Sequence, residues 1–142
     1  MTAEELAAAC AAAMWREDQA SPGMGMVLEH VAPGAARVSM VVEKRMLNGH
    51  RTCHGGLIFA LADSAFGFAC NTDGMQSMAS HCSITFLRPV REGEVLVAAA
   101  ELRHAEGRTG LYDVRVSVGE AVVAEFRGLS RTTGQRWTPD AA

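Results

Sequence analysis

The sequence predicts an α+β domain in which an antiparallel β-sheet is wrapped around one long central helix. Three observations carry that prediction. From Gly56 to Cys70 the side chains are almost all apolar, and a helix with no polar face is either a core helix or a membrane span. The run is shorter than the about 20 apolar residues a bilayer needs, so other parts of the protein must cover it. Downstream, four stretches read as strands joined by short links, which favours antiparallel neighbours.

The 142 residues, 49% of them apolar, are enough for one domain with a substantial core and leave no room for a second. A net charge of -3 without charged blocks argues against a nucleic-acid footprint, while leaving room for a polyanionic ligand held by a few Arg residues. The cysteines Cys10, Cys53, Cys70 and Cys82 lack paired spacing and no leader pattern opens the chain, so reduced thiols and a cytoplasmic location are expected.

Thr2 followed by Glu5 reads as a capping box, and the Ala-rich run behind it predicts a helix over about residues 2–17, ending before Ser21-Pro22-Gly23. Residues 1–23 thus form a helix and a link. Met24 to Val31 and Ala36 to Glu43 read as two strands joined by Ala32-Pro33-Gly34-Ala35, whose Pro and Gly suit the centre of a type II turn. A loop from Lys44 to His54 leads into the central helix, with Gly74 available as a left-handed cap near its end. The four later strands are Ser77 to Arg88, Val95 to His104, Thr109 to Val118 and Ala121 to Ser130. Tyr112, Val114, Val116 and Val118 alternate with polar residues, the pattern of a sheet with one face in the core. Residues 134–142 read as a flexible tail.

Asp63 is the sharpest chemical signal, because a carboxylate in an apolar helix costs free energy that chains usually accept where the group has work to do. It suits a general base on water or a nucleophile. Gly55-Gly56 at the helix start offers backbone N–H groups without side-chain cover, assisted by the helix dipole, for a developing oxyanion. Asn48 and His54 can add donors. Gly55 and Asp63 lie eight positions apart in the sequence, which on a helix is roughly 12 Å. One acyl carbon is then out of reach of both groups in one chain, so a homodimer with two sites at its interface is expected. His50, Cys53 and His54 lack a further group at ligand spacing, so no metal is expected.

The segments NGHRTCHGG and LADSAFGFACN, with FLRP at Phe86 to Pro89, resemble the hotdog-fold thioesterases, and within them the phenylacetic acid degradation (PaaI) subgroup. The resemblance spans about Met24 to Thr133. It implies the hotdog fold, dimers with joined sheets, a homotetramer, and acyl-CoA substrates of the phenylacetyl and hydroxyphenylacetyl type. No cofactor is implied, coenzyme A being part of the substrate. It implies Asp63 as the residue that activates water or attacks the thioester, Gly55 as the N–H that polarises the carbonyl, and Asn48 and His54 as positioning groups. Some relatives add a hydroxyl on the strand after the helix, where this chain has Ala79 with Ser77 and Ser80 nearby. Gly56, Phe59, Phe66, Arg88 and Arg108 are candidates for substrate binding, and Arg88, Arg103 and Arg108 at strand ends for the CoA phosphates. Two other readings stay open: an acyl-thioester hydratase or dehydratase using His54, and a non-catalytic acyl-CoA binding protein. No membrane or nucleic-acid partner is expected.

Overall fold

In the computed structural model, which describes residues 1–137, the alternation of Tyr112, Val114 and Val116 turns these side chains inward from the middle of a six-stranded antiparallel sheet. The elements are α1 (Ala3–Glu17), α2 (Ala20–Gly23), β1 (Val27–Ala32), β2 (Ala35–Val41), α3 (Gly55–Ala69), β3 (Met75–Phe86), β4 (Val95–Glu106), β5 (Thr109–Val118) and β6 (Ala121–Arg136). The strand order is β1-β2-β4-β5-β6-β3. The β3 strand therefore forms an edge, reached from β2 by a connection that contains α3. No helix among the described residues is long and apolar enough to cross a membrane.

The helix α3 lies across β2, β4 and β5. Leu61, Ala62, Ala65 and Ala69 are fully buried, where small and large side chains alternate against Val38, Leu96 and Val114. The all-apolar composition suggested cover on every side, and the single chain covers only part of it. Gly56 is exposed, and Phe59, Ala60, Asp63 and Gly67 are only half-buried. These positions recur at helical spacing and form one open stripe.

At the N-terminus the Thr2 hydroxyl accepts the Glu5 N–H at 3.0 Å and the Glu5 carboxylate accepts the Thr2 N–H at 3.1 Å, the predicted capping box. Ser21-Pro22-Gly23 does not simply break the chain; it belongs to the short α2, started by the Asp18 carboxylate accepting the Ser21 N–H at 2.8 Å. The Ser21 hydroxyl lies 2.9 Å from that of Ser64 and donates to Asp18 at 2.7 Å, which satisfies one of the two polar groups of α3.

Several boundaries differ from expectation: β1 starts at Val27 because Met24 caps α2, β2 ends at Val41 and β4 runs on to Glu106. The cap of α3 is Cys70, and Gly74 at φ +90° instead turns the chain into β3, where a side chain would be strained. The strand β3 is displaced two residues toward the N-terminus because the Asn71 side chain pins Ser77, accepting its N–H at 2.8 Å and donating to its carbonyl at 3.0 Å. The strand β6 continues through Arg136, paired with Met75, so residues 134–136 are strand and not tail. The remaining predicted tail, 138–142, lies outside the described residues.

Candidate active site

The loop before α3 is organised by Asn48. Its Oδ1 accepts the His50 N–H at 2.9 Å, the Thr52 N–H at 3.2 Å and the Thr52 hydroxyl at 3.2 Å. Two N–H donors at one oxygen fix the orientation of the carboxamide, which leaves Nδ2 as the outward donor, unbonded among the described residues. The backbone tightens the same turn, with the Asn48 N–H donating to the Thr52 carbonyl at 2.8 Å. Arg51 takes φ +63° at its tip. Two further bonds tie the loop down: Cys53 N–H to the Val90 carbonyl at 2.7 Å and His54 N–H to the Met46 carbonyl at 2.8 Å.

His54 caps α3. Its Nδ1 accepts the Gly56 N–H at 2.9 Å, so the imidazole is occupied as an acceptor on that side. The Gly55 N–H has no acceptor among the described residues, as the geometry of a first helical turn requires. The ring of Phe86 packs over Gly55, where a Cβ would sit 3.0 Å from its Cζ, so a side chain here would push the ring aside by a few tenths of an ångström. A cleft of about 370 Å³ opens here, lined by Asn48, Thr52, Gly55, Phe86, Arg88 and neighbouring residues. The structure thus brings Asn48, Gly55 and Arg88 together, with Phe86 and Thr52 as lining that the sequence reading did not single out. The period-2 pattern through Cys82, Ile84 and Phe86 is the signal that places Phe86 on the inner face.

Asp63 stands two turns further along α3, on the open stripe and away from that cleft. Burial pushes its carboxyl above the usual carboxylate range, with no charge partner among the described residues to offset the effect. The Cys82 thiol donates to it, with Sγ 4.0 Å from Oδ1. Burial and the Asp63 charge both hold that thiol protonated. No hydroxyl from β3 joins Asp63: Ala79 has none, and the Ser80 hydroxyl donates to the Leu129 carbonyl at 3.1 Å. Cys53 is buried, its thiol pushed up by desolvation, as a core filler should be.

The other candidates separate. Phe59 lies on the open stripe, its ring edge-on to Phe126 with centroids 5.3 Å apart. Phe66 is a core residue packed between Tyr112 and Phe126, and its ring fits only because position 128 is glycine. Arg88 is exposed at the cleft, whereas Arg108 lines a cavity beside Cys70, at the far end of α3. Arg103 is engaged with Glu101 at 2.8 Å and Asp113 at 2.9 Å.

Residues 50–125 match the Thioesterase superfamily. The chain is 43% identical over 130 residues to the acyl-coenzyme A thioesterase PaaI of Escherichia coli K12, covering 91% of this chain and 93% of that protein. The solved structure of the E. coli PaaI protein from the phenylacetic acid degradation operon superposes with a TM-score of 0.93 at 40% identity, over 96% of this chain and all of that one. A Streptococcus mutans protein solved with acetyl-CoA bound superposes with a TM-score of 0.75 at 26% identity, over 79% of this chain and 91% of its own.

Proposed function

Because the chain belongs to the thioesterase superfamily, with the hotdog fold and the thioester-hydrolase activity that go with it, we propose that it hydrolyses acyl-CoA thioesters, phenylacetyl- and hydroxyphenylacetyl-CoA among them, to the free acid and CoA. The observation that carries this reading is the division of labour along α3. A free N–H at Gly55 opens onto a cleft beside the Asn48 amide, and the half-buried Asp63 carboxylate, which accepts only from the Cys82 thiol among the described residues, lies on the open stripe.

The two groups complete one site when two chains pack their open stripes antiparallel about a two-fold axis. Gly55 of one chain then meets Asp63 of the other. Gly56, Ala60 and Gly67 on that stripe permit close approach of the helices, and the exposed edge of β3 offers unpaired backbone groups to its copy. Such dimers pair again in the proposed homotetramer. Phe59 lines the acyl side of each site, and Arg88 at the cleft mouth meets a CoA phosphate.

In the reaction the thioester carbonyl oxygen lies between the Gly55 N–H and Asn48 Nδ2, whose donors are fixed before charge develops. Asp63 takes a proton from water as the hydroxyl bonds to the acyl carbon. The tetrahedral oxyanion collapses, the C–S bond breaks, and the thiolate leaves with its electron pair, taking up the proton held by Asp63 or one from solvent. His54 holds the helix start in register. The free thiols of the chain suit the reducing cytoplasm, where we place the reaction. The hydratase reading needs His54 as an acid or base, and its Nδ1 is already committed to Gly56.

Thiol release from phenylacetyl-CoA, its ring-hydroxylated forms and a short fatty acyl-CoA tests the proposal. Aryl-selective release supports it. Consumption of an enoyl-CoA double bond without thiol release supports hydration instead, and CoA-ester binding without turnover supports sequestration.

A further inference from the structure

Tyr112 is the one tyrosine of the chain. The residue is only 8% exposed, and its hydroxyl makes no hydrogen bond among the described residues. A hydroxyl on a mostly buried ring stands without a partner at little cost where the oxygen itself reaches a polar, solvent-open space, and the Tyr112 oxygen is not a buried orphan. It faces such a space. Two cavities, of about 360 and 180 Å³, meet at Cys70, Asp73, Ala105 and Tyr112, beyond the C-terminal end of α3. The larger has an apolar wall of Leu6, Pro33 and Leu102. The smaller is lined by Ser77, Ser130, Thr132 and Arg108.

Glycine at position 110 keeps the junction open. A Cβ there would lie 2.8 Å from the Tyr112 ring and 2.9 Å from the Ser130 hydroxyl. The Arg108 guanidinium forms no ion pair among the described residues. Asp73 shares the lining, and its Oδ1 accepts the Met75 N–H at 3.0 Å. One cation and one anion leave the lining near neutral, so a polyphosphate meets repulsion from Asp73, while a single carboxylate finds a free guanidinium fork and a neutral O–H donor. An apolar body attached to that carboxylate fills the Leu6–Leu102 side.

We propose that this double cavity is a second ligand site, for a small amphipathic monocarboxylate whose carboxylate sits between Arg108 and Tyr112 and whose apolar body sits against Leu6 and Leu102. The site lies a full helix length from Gly55, roughly 22 Å along α3. Arg108 belongs to it in place of the CoA contact its sequence position suggested. The free acid released from an arylacyl thioester is of this chemical class, a link that rests on the proposed reaction.

A single tyrosine makes the test direct. With tyrosine carbon-13-labelled at the ζ carbon alone, the full chain gives one ring signal to follow as phenylacetate is added. The expected result is a saturable shift that persists when the reaction site is filled with CoA and weakens at least about tenfold in Arg108→Gln. Calorimetry on Tyr112→Phe should show loss of the same binding event. No saturable shift at about 10 mM, ten times a millimolar Kd, overturns the site. Displacement by CoA overturns its separateness, and an equal shift with phenylacetamide overturns the carboxylate. A retained shift in a protein that releases no thiol removes the proposed reaction and leaves this site standing; thiol release with no shift does the reverse.

Discussion

His54 Nδ1 accepts the N–H of Gly56 at 2.9 Å, one position past the Gly55 N–H that stays free. A Ser or Asp cap would satisfy the same donors through a shorter side chain. The imidazole does so through Nδ1 and leaves the Gly55 donor for a ligand. Replacing His54 by Ala should cost about 1 kcal/mol of stability, measured by urea unfolding, and should lower turnover together with stability. His54→Asn, which restores a cap acceptor, should recover most of the stability.

Asn48 divides its two ends between structure and chemistry. Asn48→Asp keeps the oxygen that holds His50 and Thr52 but removes the Nδ2 donor. It should therefore reduce kcat by about 10²- to 10³-fold with a melting temperature close to wild type. Asn48→Ala removes both ends and should lower kcat and melting temperature together. Steady-state kinetics beside a thermal melt separates the two roles.

The sequence carried the fold and the outline of the site because both follow from local rules. Period-2 alternation marked β5 over its full length, and the Thr2–Glu5 box marked the start of α1. Asp63 stands out because it breaks an apolar run, and the Gly-Gly pair because it opens that run without side-chain cover. Less local features were not legible. The start of β3 departs from the pattern because Asn71 bonds to Ser77, a contact across a turn that composition does not signal. The length of β6 depends on pairing with Met75, a partner about sixty residues away in the chain. Phe66 and Phe59 look alike on a helical wheel of apolar residues, and only Gly128 and the sheet decide which one is core.

Asp63 ties stability to pH with a definite sign. Burial raises its native pKa above 3.8, so the native state holds the proton more tightly than the unfolded chain. Its contribution is fully present below the unfolded pKa and is lost as pH rises through the raised native value. Asp63→Asn should therefore be more stable than wild type at neutral pH, and the gap should close as pH falls to the ordinary carboxylate range. Thermal melts across that window test it. The acid limb of kcat/KM should fall at a pH above 3.8 for the same reason.

Gly128 is required for space. A Cβ there would stand 2.8 Å from the Phe66 ring, which is fully buried and cannot swing away. Gly128→Ala should cost about 1–3 kcal/mol through overpacking. Pairing it with Phe66→Leu should return part of that loss, as read from urea midpoints at constant slope.

The central claim is that the Asp63 carboxylate activates the attacking water. Turnover of phenylacetyl-CoA by wild type and Asp63→Asn at saturating substrate tests it most directly. The account predicts a fall in kcat of at least about 10²-fold with KM changed little, since a positioned base contributes 10²- to 10⁴-fold in the transition state. A fall of less than about tenfold would contradict it and move the base to another residue.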